Sequence, residues 1–164
     1  MPLNMLPFIL KYFRAEKDAG FYIIIVGAVI IALSVWLWWS GSRFRAMAIP
    51  LVVIAIIEVV VGSVIYLRTD KQIDTLTEQY YTDREAFAIA ETTRMERIMS
   101  GFQIYKWIEM GLLVVGLGLI VVYRKRPVLI GVGMGLVIQA AIMLGFDNVA
   151  CERAQVYLEA LYRM

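Results

Sequence analysis

The sequence predicts an all-helical, polytopic membrane protein. It has four transmembrane helices in a bundle, an extramembrane helical hairpin between spans two and three, and amphipathic helices at both ends. Three observations carry this. Hydrophobic residues make up 61% of the 164, above the roughly 45–50% of a soluble domain. Mean hydropathy is +0.73. Four apolar runs, at 21–39, 46–67, 104–123 and 128–146, each approach the ~20 residues needed to cross a ~30 Å hydrocarbon core as a helix. One membrane domain covers residues 1–164 at this length.

Residues 1–20 place Leu3, Leu6, Leu10 and Phe13 at helical spacing, with Lys11, Arg14, Glu16 and Lys17 off that stripe. This reads as a short amphipathic helix lying in the membrane interface, beginning near Pro2 or Pro7. No small-residue cleavage site follows the first apolar run, so no signal peptide is expected. Span one, 21–39, is uncharged. Gly27 and Ala28 permit close helix contact, and Trp36, Trp38 and Trp39 form an interfacial belt. Ser40-Gly41-Ser42 makes a turn beside Arg43 and Arg45.

Span two, 46–67, is apolar except for Glu58 near its middle, with Pro50 in its first turn, where the missing N–H costs little. An ionisable group at that depth costs at least ~2.5–3.5 kcal/mol and marks a functional site by default. Ala55, Glu58, Gly62 and Tyr66 form one small, polar face that should point into the bundle.

Residues 68–103 are the long polar segment and are expected to form the hairpin. Ile73, Leu76 and Tyr80 continue the stripe out of span two. Thr82-Asp83-Arg84-Glu85 has capping-box spacing, so a new helix is expected to start at Thr82. Phe87, Glu91, Arg94/Met95, Ile98, Phe102, Tyr105 and Glu109 then share a face.

Span three, 104–123, carries Glu109 one turn inside its polar end and stops at Arg124-Lys125-Arg126-Pro127. In span four, 128–146, Gly131, Gly135, Gln139 and Met143 repeat every four residues, a small-xxx-small stripe carrying an amide. Asp147 closes it. Residues 149–163 are amphipathic, with Ala150, Ala154, Tyr157, Leu158 and Leu161 on one side and Glu152, Arg153 and Glu159 mostly off it, and should pack beside the hairpin or on the interface.

Net charge is +2 and no nucleic-acid motif is present, so no nucleic-acid partner is expected. The absence of histidine removes the commonest general base and haem ligand, and argues against an enzyme. No cofactor or metal is expected. Met95 and Met99 could hold Cu(I), but among nine methionines packing is the simpler role. The lone Cys151 excludes an intrachain disulfide.

Arg124, Lys125 and Arg126 are dense, whereas basic residues on the other side are more numerous but mixed with acids. Density is taken as the stronger signal. It places the short basic loops in the cytoplasm and the hairpin and termini outside, in a bacterial inner or plasma membrane.

Glu58 lies about 13 Å from the hairpin-side surface and Gln139 about 12 Å, at 1.5 Å per residue. Glu109 is about one turn deep and Asp147 is at the mouth. These four residues define a polar funnel opening under the hairpin, with Arg94, Lys106, Arg68 and Arg153 as possible charge partners. The expected function is binding of a proton, cation or small solute, as in a transporter or channel. An alternative is a non-enzymatic accessory or assembly subunit of a larger membrane complex, using the hairpin to contact its partner. A third reading, an enzyme or lipid-binding protein, would act through Glu109, Asp147 and Glu152 at the interface. Glu58 hydrogen-bonded to Gln139 solely to fix helix register would be the plain structural role. Lipid bilayer is the obligatory partner, with a homo-oligomer or larger complex as the possible assembly.

Overall fold

The computed structural model describes residues 4–42 and 44–164. Leu3, Pro2 and Arg43, which the sequence reading used, lie outside them. The described residues form four long helices: α1 (Leu6–Trp39), α2 (Ala48–Thr82), α3 (Arg84–Val122) and α4 (Pro127–Leu161), with a 3-10 turn at Arg45–Met47 before α2. All four are long and apolar enough to cross a membrane. They contain 34, 35, 39 and 35 residues. At 1.5 Å per residue each is about 50 Å or more, well beyond a ~30 Å hydrocarbon core.

The excess length of all four helices lies at the same end, away from the short connections that follow α1 and α3. This alters the expected arrangement. Residues 6–20 are not a separate helix in the membrane plane but the first turns of α1, and 149–161 are the last turns of α4. No proline or extended residue interrupts either junction, so the helical hydrogen bonds run straight through. The four polar ends bury a shared core. Ile9 and Phe13 of α1 meet Leu76 and Tyr80 of α2, Phe87 and Met95 of α3, and Tyr157 and Leu161 of α4. The apolar face of α1 is thus covered by protein in this core. At its polar end the buried residues of α1 are Ile9, Tyr12 and Phe13, with Met5 buried just before the helix; Phe13 belongs to the expected stripe, whereas Leu6 and Leu10 are only half-buried.

The α2–α3 junction falls one residue later than the capping-box spacing implies. Asp83 is the extended residue (φ −150°, ψ 103°), and its carboxylate accepts from the N–H groups of Glu85 and Ala86, both at 3.0 Å. Thr82 instead closes α2, its hydroxyl donating to the Glu78 carbonyl at 2.9 Å. A carboxylate both accepts the orphan N–H groups and complements the positive helix end, so Asp83 takes the cap. At the opposite end Gly41 turns the chain with φ +62°, a conformation that only glycine adopts cheaply.

The helices pack as two antiparallel pairs, α1 with α2 and α3 with α4. Each pair closes on glycine against glycine. A Cβ on Gly20 would lie 2.9 Å from the Gly62 carbonyl oxygen, and one on Gly62 2.8 Å from that of Gly20. Gly116 and Gly133 are equally close across α3 and α4, at 2.8 and 2.6 Å. Without a strong hydrophobic drive between helices in lipid, such backbone approach supplies the van der Waals contact. The pairs join where Gly131 and Gly135 of α4 seat against the Ala46–Met47 turn and Pro50. By contrast α2 and α3 touch little below their shared cap.

Candidate functional site

The seating of Gly135 on Pro50 brings α4 within side-chain reach of α2. One turn further along, Gln139 faces Glu58. Both are buried, Glu58 at 9% and Gln139 at 0% exposure. Ala55 and Gly62 share the buried face with Glu58, while the fourth residue of that stripe, Tyr66, is exposed and rests against Phe21 (ring centroids 6.1 Å apart). Glu58 and Gln139 do not close a well-formed hydrogen bond. One carboxyl oxygen of Glu58 and both amide atoms of Gln139 are sealed from solvent without a hydrogen-bond partner.

A second pair, of two carboxyl groups, forms between α3 and α4. Glu109, 1% exposed, faces Asp147, and both Glu109 carboxyl oxygens are buried without a hydrogen-bond partner. The four residues singled out as an acidic site therefore fall into two pairs, each with one member on α4. Among the described residues, no group of three or more acidic, cysteine or histidine side chains converges as a metal site.

The suggested charge partners separate. Arg94 grips Glu91 with Nε and Nη2, both at 2.7 Å, inside the polar bundle. Glu91 is 2% exposed and also accepts from the Tyr157 hydroxyl at 3.1 Å. Tyr157 stacks on Tyr12 (4.7 Å, 3° between planes), and the Arg94 guanidinium lies 5.4 Å from the Phe13 ring centroid. Burial, with acidic neighbours, holds both tyrosine hydroxyls well above their ordinary pKa. This network, linking α1, α3 and α4, was not assembled from sequence. Its one local signal was Glu91 and Arg94 three apart on a face otherwise apolar at Phe87 and Met95. Lys106 is exposed. Arg153 donates to the Ala15 carbonyl at 3.1 Å, tying α4 to α1, while its Nε is buried without a partner.

Below this network a cavity of about 520 Å³ lies among all four helices, reaching from Glu16 and Arg68 to Phe146 and Asp147. Asp147 and Arg153 line it; Glu58, Glu109 and Gln139 do not. The funnel expected from sequence is thus a chamber bordered by Asp147, with the deeper carboxyls packed between helices beside it. Compared with family models, curated proteins and solved structures, the chain matches none.

Proposed function

We propose that this is a small integral membrane protein that binds a proton, a cation or a small solute at an intramembrane acidic site, acting as a transporter or channel. The site comprises Glu58 with Gln139 and Glu109 with Asp147. One observation carries the reading: three carboxyl oxygens, one of Glu58 and both of Glu109, are buried in apolar helical segments without a hydrogen-bond partner. Such a group costs several kcal/mol in hydrocarbon unless a proton or cation joins it. Two carboxyls meeting without a third ligand favour a proton shared between Glu109 and Asp147 over a caged metal ion.

Dicyclohexylcarbodiimide, which modifies protonated carboxyl groups in apolar surroundings, tests this in native membranes. Labelling of Glu109 and Glu58 that declines as pH is raised is the expected result. Absence of labelling at every pH refutes an accessible titrating site. In proteoliposomes, Glu58→Gln or Glu109→Gln should abolish proton-coupled flux while thermal unfolding stays cooperative.

A second reading, an accessory or assembly subunit, is favoured by the face of α3. Only 11% of its most apolar stretch is buried, and Trp107 is 76% exposed. A partner's helix or a second copy would cover that face, and a stoichiometric partner co-purified in mild detergent would support it over transport. The expected orientation has the short basic loops in the cytoplasm of a bacterial inner or plasma membrane and the polar bundle outside. An impermeant maleimide that labels intact cells carrying Ser100→Cys in a Cys151→Ser background supports it; labelling only after lysis reverses it.

A further inference from the structure

The cavity among the four helices has a polarity gradient that the acidic-site reading does not use. On α2 the lining runs from Val60, Val61 and Val64 up to Arg68; on α3, from Tyr105 and Phe102 up to Arg97; on α4, from Phe146 up to Arg153. Each of these three helices thus contributes apolar side chains at the membrane end of the chamber and an arginine about one to two turns further out, while α1 contributes Ile23, Ala19 and, further out, Glu16. Three different helices thus bring an arginine to one chamber, each beyond the apolar part of its own lining.

Among the described residues none of these arginines is held in an ion pair. The lining sets three arginines against two acids, Glu16 and Asp147, and among the described residues neither acid forms an ion pair with them; Glu16 accepts from the Tyr12 hydroxyl at 3.0 Å and Asp147 faces Glu109. The nearby Lys17 is paired with Asp70 at 2.6 Å. Among the described residues Arg68 and Arg97 have no ion pair or hydrogen bond, and the Arg153 Nε is sealed from solvent without a partner. The chamber is also open sideways. Val60, Val61, Val64 and Tyr105 are each about half exposed, so its mouth is the gap between α2 and α3. At about 520 Å³ it falls within the ~300–1,000 Å³ range of small-molecule sites.

From this arrangement we infer that the chamber is a binding site for a phosphate-bearing anionic lipid, with the phosphate on Arg68, Arg97 and Arg153 and the acyl chains leaving along Val60, Val61 and Val64 into the bilayer. Guanidinium groups are suited to phosphate because they donate paired hydrogen bonds in a planar fork. Basic pockets between transmembrane helices recognise lipid headgroups by the same chemistry. An apolar wall leading sideways from the cations distinguishes a lipid from a soluble phosphate, which needs no such path. Asp147 borders both this chamber and the acidic pair, but the lipid site stands on other residues.

Native mass spectrometry of the full chain in mild detergent, titrated with phosphatidylglycerol or with phosphatidylcholine of the same acyl chains, tests the inference. One phosphatidylglycerol should bind about tenfold more tightly than phosphatidylcholine. Arg68→Gln/Arg97→Gln should erase that preference; both side chains are exposed and bond nothing else, so the fold should survive. Val64→Trp, which narrows the mouth and leaves the arginines, should weaken phosphatidylglycerol binding. Arg124→Gln, in the distant short turn, should leave it unchanged. Equal binding of the two lipids, or a preference that survives the double arginine substitution, overturns the proposal. Inorganic phosphate that binds in an arginine-dependent manner and is not displaced by phosphatidylglycerol also overturns it, since the ligand would then be a free phosphate.

Discussion

Removing Arg94 should damage the polar bundle more than removing its partner Glu91, although the two form one ion pair. The asymmetry follows from burial. The Glu91 side chain is 2% exposed, whereas that of Arg94 is 33% exposed. Arg94→Met deletes two of the three hydrogen bonds to the Glu91 carboxylate and leaves only the Tyr157 hydroxyl. Breaking a fully buried pair costs about 3–5 kcal/mol, because the remaining charge stays desolvated. The pair reaches water on the Arg94 side, so about 2–3 kcal/mol is expected. Glu91→Leu leaves Arg94 able to rehydrate at its exposed edge, and about 1–2 kcal/mol is expected. The double variant Glu91→Leu/Arg94→Met removes both charges at roughly conserved volume and should recover most of the loss. Chemical unfolding in mild detergent, followed by tryptophan fluorescence and circular dichroism, measures all three. Equal losses for the two single variants, or a double variant as unstable as their sum, would refute the burial account of this pair.

Three further outcomes follow from the packing. Gly62→Leu drives a side chain into the Gly20 carbonyl, a backbone atom that cannot rotate away. It should cost about 1–3 kcal/mol and weaken disulfide crosslinking between cysteines placed at the α1–α2 contact. Asp83→Ala should destabilise the start of α3 by about 1 kcal/mol, seen as faster amide exchange at Glu85 and Ala86, whereas Thr82→Ala should change little. Tyr12 and Tyr157 keep their protons more tightly folded than unfolded, so their contribution is complete below the ordinary tyrosine pKa of 10.0 and is lost as pH rises above it. Unfolding midpoints should fall above about pH 10 and fall less in Tyr157→Phe; a pH-independent difference between the two proteins would count against this origin.

Local pattern made several features legible. The four apolar runs, Pro127 after the Arg124-Lys125-Arg126 cluster and the change of helix near Thr82 are encoded in neighbouring residues. The face of residues 149–163 was also largely readable: Ala154, Tyr157, Leu158 and Leu161 are buried and Ala150 is half-buried, because helical periodicity specifies which side chains share a side. The small-residue stripe from Gly131 to Gln139 foretold a close contact. It could not name the partner, since many helices could accept it; the seat on Pro50 and Met47 is what turns Gln139 toward Glu58.

By itself, then, the sequence determined the number of helices long and apolar enough to span a membrane, and much of the faces that α2 and α4 bury, but not that of α1. Tertiary structure alone decided what those faces meet. Residues 6–20 and 149–161 are amphipathic, and an amphipathic helix satisfies its apolar side equally well on lipid headgroups or on protein. Local sequence holds no term that separates the two. The choice was made by the polar ends of α2 and α3, whose Leu76, Tyr80, Phe87 and Met95 offer a complementary apolar surface. The same packing joined Glu91 and Arg94 to Tyr157, 66 positions from Glu91, and brought Arg68, Arg97 and Arg153 around one chamber. Charge pairing acts through space over a few ångströms, and only the folded chain sets those distances.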